Sequence, residues 1–414
     1  MDRRSLIKAA CTIGTLAAPT AAGCLQSLEA GRENGRGNGT GETNGDDCTI
    51  EDPGFDGSEW EHEVGGLVDV VAHGRVFGRE DFAAENADGG VFCLDAETGA
   101  HEWTYGESGG YTTYTRPTVE DAVYVGRGTD AIGDGSGELY ALEFDGEERW
   151  VADEVGSVYE SPRVADCTVY VGGDDGVVRA FDANDGEELW NRELVDGAVE
   201  IAVEAVTDVV YVHAGLLFAL SPEDGSVLWS SDETAPVRGV EVVDDVAFLT
   251  TGDHVAAVVD GEERWREEIS TNKWIHGVDS GRVIVRHRWN LLAFDVEDGA
   301  ERWRLEDVRH LRTGVHDGRV YVGGEDGVVR ALDASDGEEI WTDTLADEPI
   351  DSLTVVEEDE RHAVFFNTED RLSRVDPDGE VTWSAAVDGG IRNHLIEGFA
   401  FVGTREGIHS IEVG

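Results

Sequence analysis

"PRVADCTVYVGGDDGVVRAFDANDGEELWNREL", residues 162–194, contains four short apolar stretches, "RVA", "TVYVGG", "VVRAFD" and "ELWNREL", separated by Asp- and Gly-rich punctuation. Runs of this length, rich in β-branched and aromatic residues and bounded by turn residues, predict four successive strands. The stretch is one copy of a repeat. "VHDGRVYVGGEDGVVRALDASDGEEIW", at 315–341, nearly duplicates it.

Working outward, the repeat is marked by Trp60, Trp103, Trp150, Trp190, Trp229, Trp265, Trp303, Trp341 and Trp383, at spacings of 36 to 47 residues with a mean near 40. That period belongs to propeller blades of four strands each. Four positions before each of the eight later tryptophans stands a glycine: Gly99, Gly146, Gly186, Gly225, Gly261, Gly299, Gly337 and Gly379. Seven of these follow Asp and one follows Thr98, which predicts a tight positive-φ turn joining the third strand to the fourth. Each tryptophan is then expected to dock on the neighbouring blade and bury its large area there.

The pattern A-x-D-x-x-T-G-x-x-x-W resembles the docking signature of the quinoprotein (PQQ-like) propeller family. Here it reads "CLDAETGAHEW" (93–103), "AFDANDGEELW" (180–190), "AFDVEDGAERW" (293–303) and "ALDASDGEEIW" (331–341), with Asp replacing Thr in the last three. The resemblance spans residues 55–414 and implies an all-β, single propeller. Nine blades follow from strict counting, and eight plus an irregular unit is the alternative. The last unit, "NHLIEGFAFVGTREGIHSIEVG" (393–414), has three strands and no tryptophan, while Trp60 in "SEWEHEV" has no three strands before it. An N-terminal strand completing the last blade would close the ring and remove its open edges.

For function, the resemblance points two ways. Members that oxidise alcohols or sugars hold a quinone (PQQ) and calcium, with an adjacent cysteine pair, a catalytic Asp, and Asn and Glu metal ligands. This chain has no adjacent cysteines, and no catalytic Asp or calcium ligand maps onto a matching motif. Non-catalytic members, such as the lipoprotein of the bacterial outer-membrane assembly machinery, use the ring for protein contacts. The expectation is therefore a non-catalytic scaffold without cofactor or metal, binding a protein or small anionic ligand. A PQQ-dependent oxidoreductase is the alternative, and a solute-binding subunit of a larger surface complex a third possibility.

Composition narrows the partners. Across 414 residues, 89 acidic side chains face 31 basic ones, a formal net charge of −58, and only Lys8 and Lys273 are lysines. Binding to nucleic acid through a basic face is excluded on this balance. Self-repulsion of that size is screened in molar salt, so the chain reads as one from a salt-loving organism with an acidic surface that serves solvation. At 40% hydrophobic residues it can still build a sizeable core.

Residues 1–23 begin with Arg3, Arg4 and Lys8 and continue uncharged from Ala9 to Gly23, too short a run to span a bilayer. "RRSLIK" resembles the twin-arginine export motif and "AAGC" (21–24) a lipobox, which implies lipid on Cys24 and anchoring at the outer face of the membrane; ordinary cleavage without lipid is the alternative. Residues 24–54 read as a Gly/Asn-rich tether carrying a glycosylation sequon at Asn38. Cys93 reads as a small core residue, with a bridge to Cys48 as the alternative, and Cys167 falls at a turn.

Two local features stand above the repeat. Long loops at 79–90 and 127–138 fall on one rim, and Asp130, Asp134 and Glu138 in the second could gather oxygens around calcium, although a solvated acidic turn fits them better. Cations and aromatics gather at the entries to the innermost strands: Tyr114, Arg116, Tyr159, Arg163, Arg238, Lys273, Trp274, His276, Arg309, His310, Arg312, Arg392 and His394. In so acidic a chain they could converge near the axis and hold an anion or a carboxylate-bearing peptide, unless each simply pairs with a nearby Asp or Glu.

Overall fold

The computed structural model of the protein describes residues 58–63, 65–80, 90–106, 112–129, 137–195, 202–206, 209–231, 237–270, 273–309, 312–358 and 361–413. Arg3, Arg4, Cys24, Asn38, Asp130, Asp134, His310 and most of both long loops lie outside these residues.

The described residues form nine antiparallel sheets. In blade three the strands Arg163–Ala165, Thr168–Gly172, Val177–Asp182 and Glu188–Glu193 pair in sequence order, matching the stretches read from 162–194. In blade two the inner strand is split into Thr112–Tyr114 and Thr118–Val119. Blade nine takes Ile391–Glu397, Phe399–Thr404 and Ile408–Glu412 from the C-terminal end and Trp60–His62 from the N-terminal end, with Trp60 opposite Ser410 and His62 opposite Ile408. Its inner strand lies against Gly66–Ala72, the inner strand of blade one. The ring is closed and has nine blades.

Its core is divided among the junctions. Each of nine hydrophobic clusters draws on two adjacent blades: Ile284, Leu291 and Ala293 of blade six meet Val320, Val322 and Leu332 of blade seven, and Val68, Phe92 and Leu94 of blade one meet Leu395, Phe401 and Ile408 of blade nine. This explains the strand patterns. A middle strand is covered on both faces and reads as an apolar run, as in Thr168–Gly172; an outer strand such as Glu188–Glu193 is polar and exposed except for its tryptophan.

Packing at the tryptophans gives the eight glycines a second role. All eight have positive φ, from 65° to 92°. A Cβ on Gly99 would stand 2.4 Å from the Trp60 ring, and one on Gly299 2.6 Å from Trp265, so each turn lies flat under the indole of the preceding blade. The indole N–H then donates to a carbonyl near that turn, Trp150 to Ala183 at 2.9 Å and Trp60 to Ala96 at 2.8 Å. Across its own sheet the tryptophan faces a small residue in every blade but the eighth, for instance Ala293 opposite Trp303, whereas Trp383 faces Arg374.

Trp383 docks on the neighbouring blade as expected, beside Val387, Ile391 and Val402 at the junction of blades eight and nine, but without a turn glycine beneath it. The reason is topological: the third and fourth strands of blade nine come from opposite ends of the chain, so no turn joins them.

Cys93 is free and buried, opposite Trp103 where blades two to seven carry Ala, in agreement with the core reading. The Cys48–Cys93 alternative is set aside. Cys167, at a first-to-second-strand turn, is the disulfide-bonded cysteine, with its partner outside the described residues.

Candidate functional site

The meander places the links between blades, together with the second-to-third-strand loops, on one rim, called here the connector rim. The first-to-second and third-to-fourth turns lie on the other, which carries Asp244, Asp245, Asp260, Asp317 and Asp336. Most of the sequence-predicted cations lie at the connector rim, but they do not form a single ring.

Several are held locally. Asp69 is 9% exposed and takes two bonds from Arg79, at 2.7 and 3.0 Å, with Arg116 3.9 Å away. Arg163 donates from Nε to Val203 O across blades three and four at 3.2 Å. Arg309 lines a cavity of about 230 Å³ with Asp307, Glu325, Asp326 and Arg330. Arg392 lines one of about 330 Å³ with Asp351, Glu369 and Arg405. His394 is 2% exposed, with Nδ1 3.3 Å from Ser352 Oγ and no partner for Nε2 among the described residues. Burial pushes its pKa down to about 4. Glu138 pairs with Arg127, so the one described member of the proposed calcium set already has a cation.

Blades five to seven differ. The inner strand of blade six, Lys273–Asp279, is bulged: Ile275 pairs with Val285 and Gly277 with Ile284, leaving His276 as the extra residue. Such an insertion re-aims a side chain. Gly277 permits it with a φ of 150°, and a Cβ there would press within 3.1 Å of Val315 in the inner strand of blade seven. Opposite Trp274 stands Arg286, whose guanidinium lies 5.3 Å from the indole centroid. Arg312, entering blade seven, donates from Nε to the Asp351 carbonyl of the next blade.

These groups feel one another. Burial, then Arg286 and Arg312, push the His276 pKa down to about 4, and its Nε2 is enclosed without a partner among the described residues. Burial and then Arg312 lower Arg286, while burial lowers Arg312 against the opposing pull of Asp351. On the other side of the strand, Lys273 is 3% exposed, donates Nζ to Ile269 O at 2.5 Å, and is lowered to about 8 by burial, with Arg238 also lowering it and Asp253 opposing. His287, paired with Lys273, is lowered by burial and by nearby cations.

The structure therefore brings together His276 and Arg312, and separately Arg238 and Lys273, into one basic arc across blades five to seven. It leaves Arg116, Arg392 and His394 in other blades and Arg309 in its own acidic cavity in the link between blades six and seven. Sequence reasoning missed Arg286 and Trp289, the latter 51% exposed at the turn after Arg286. The signal was there: "RHRWN" (286–290) stands where blades three and seven have "GGDDG" and "GGEDG".

Compared with known proteins, the chain matches a family model described as outer membrane protein assembly factor BamB over residues 87–251 and 251–406. Relatives bearing that name include one from Yersinia pestis, 24% identical over 311 residues, covering 67% of this chain and 78% of that protein. Another, from Burkholderia pseudomallei, is 28% identical over 282 residues, covering 61% of this chain and 70% of that protein. Among solved structures, BamB from Moraxella catarrhalis superposes with a TM-score of 0.51 at 19% identity, covering 78% of this chain and 97% of that one. The computationally designed Ika8 protein gives 0.50 at 14% identity, covering 87% and 99%. Those superpositions speak to fold. The two matched segments run from the third strand of blade one into the last blade, and on them the chain belongs to the BamB family of PQQ-like repeat propellers.

Proposed function

We propose that the protein is an exported, non-catalytic scaffold that binds a protein partner through the connector rim of its propeller. The observation that carries this reading is the basic arc with its exposed indole, on a chain of net charge −58. Charge of the opposite sign, concentrated in one sector of a rim whose other cations are mostly held by acidic or carbonyl neighbours, is what a recognition surface requires and a solvation surface does not. The relatives are named as assembly factors for outer membrane proteins, which fits a protein-binding role.

In this reading residues 1–23 are the export signal, Cys24 carries the lipid, 24–54 form the tether with Asn38 open to glycosylation, and 55–414 are the propeller, held at the outer face of the cell membrane. The function needs neither quinone nor calcium.

Fractionation tests it. The wild-type chain should sediment with membranes and run in gentle detergent as a species larger than its own 44.7 kDa, Cys24→Ser should release it to the medium, and the purified chain supplied with quinone and calcium should reduce no dye. Unchanged membrane retention of Cys24→Ser would remove the anchor from the account. Robust turnover on alcohols or sugars would replace the scaffold by the oxidoreductase.

A further inference from the structure

We propose that the junction of blades six and seven is a carboxylate-binding site, built from Arg286, Arg312, His276 and Trp274, that receives an acidic side chain of an extended partner segment. The inference rests on reading the connector rim as a binding surface and names the chemistry of what binds there.

Three observations carry it. First, the two guanidinium groups are near enough for Arg312 to disfavour the charge on Arg286, and neither has an ion pair among the described residues. Elsewhere the protein pairs its arginines freely: Arg149 with Asp121 and Glu143, Arg282 with Asp295, Arg302 with Asp295 and Asp298. Arginines without an ion pair among the described residues occur elsewhere, Arg192 on Gly225 O and Arg319 on Pro377 O among them; what distinguishes Arg286 and Arg312 is that burial disfavours the charge on both and that the two share one junction.

Second, both guanidiniums are oriented by contacts that leave N–H groups over. Arg286 lies on the Trp274 face, and its one hydrogen bond among the described residues, from Nε to Arg288 O, is long at 3.5 Å. Arg312 uses Nε on the Asp351 carbonyl. The terminal nitrogens of each remain available for the paired N–H contacts that a carboxylate accepts. Third, the bulge turns His276 into the same junction, where Nε2 has no partner among the described residues. A neutral imidazole can donate there to a carboxylate oxygen.

The choice of a segment over a free anion follows from the surroundings. Trp289, half exposed in the turn three residues past Arg286, offers an apolar plane on the same rim, suited to a side chain next to the acidic one. A small anion would use the arginines and leave that plane idle.

The test uses the full chain in detergent and about 1 M KCl, where the Debye length is about 3 Å and the long-range repulsion of an acidic ligand is suppressed. Fluorescein-labelled hexaglutamate is the probe, hexaglutamine the uncharged control, and fluorescence anisotropy the readout. Binding of hexaglutamate should weaken about tenfold or more in Arg286→Gln, as loss of a charged two-point contact requires. It should be unchanged in Arg302→Gln, whose arginine is paired on the outer strand of blade six. A melting temperature of Arg286→Gln close to wild type establishes that the fold survives; should it fall, Arg286→Lys, which keeps the charge but loses the planar fork, is read instead and should weaken binding in the same direction.

Equal weakening by Arg286→Gln and Arg302→Gln, or no binding by the wild type, overturns the site. Equal displacement of the probe by free glutamate and by unlabelled hexaglutamate overturns the segment in favour of a free anion. Loss of hexaglutamate binding with the membrane complex intact would refute this inference alone, since the scaffold reading is tested by fractionation.

Discussion

At the residue scale, the eight turn glycines do two jobs that no other side chain can combine. Gly299 has φ +72°, and a Cβ there would enter the Trp265 ring, so Gly299→Ala should destabilise the fold by about 2–4 kcal/mol through backbone strain and overpacking together. Urea titration measures this, and an unchanged midpoint would detach the glycine from docking. His394 gives a pH signature. Its folded pKa of about 4 lies below the ordinary 6.5, so the buried neutral ring contributes fully above pH 6.5 and its contribution is lost as pH falls from 6.5 towards 4, because the unfolded chain takes up the proton first. The loss amounts to about 3 kcal/mol at most. Between pH 7 and pH 5 the melting temperature of His394→Gln should fall less than that of the wild type; parallel falls would show that the ring is protonated at little cost. Glycine and tryptophan were legible in the sequence because they recur at fixed offsets. His394 and His276 were legible only as candidates, since burial depends on neighbours from blades far away in the chain.

At the element scale, ring closure depends on a short strand. Trp60–His62 contributes three residues, yet it carries the indole that docks on Gly99 and supplies the fourth strand of blade nine. Closure at the inner end is made by Asn393, whose side chain accepts from Val68 N at 3.1 Å and donates to Val68 O at 2.5 Å between blades nine and one. Trp60→Ala should therefore cost about 2–4 kcal/mol, the lower part of the range for large-to-small changes, since the indole is only partly buried. Hydrogen exchange should show the loss concentrated in Phe399–Thr404 and Ile408–Glu412; protection lost evenly around the ring would contradict closure by this strand. The unmatched ends, three strands without a tryptophan and a tryptophan without three strands, announced this pairing in the sequence. The bulge at His276 did not announce itself, because one extra residue inside an inner strand leaves the apolar pattern intact. Consequently the sequence grouped Lys273, His276, Arg309, Arg312, Arg392 and His394 by their offsets from tryptophan. Pairing separates them, placing Arg309 and Arg392 in rim cavities with acidic neighbours and Lys273 on a backbone carbonyl.

For the whole molecule, charge acts at two ranges. Over long range, −58 formal charges oppose compaction, and salt relieves them; the melting temperature should climb as potassium chloride is raised from about 0.1 to 1 M, over which the Debye length shrinks from about 10 to 3 Å. A flat profile would mean that the acidic surface is not a burden on the fold. Over short range, the basic arc of blades five to seven stands against that background and gives the ring a front.

The most direct test of the recognition surface is photocrosslinking in intact cells. A benzophenone side chain at position 289, on the connector rim, is compared with one at position 335, in a third-to-fourth-strand turn on the opposite rim. The account predicts a discrete protein adduct from 289 that disappears when Arg286→Glu is added, and none from 335. Adducts of equal strength from both positions, or from 335 alone, would contradict it.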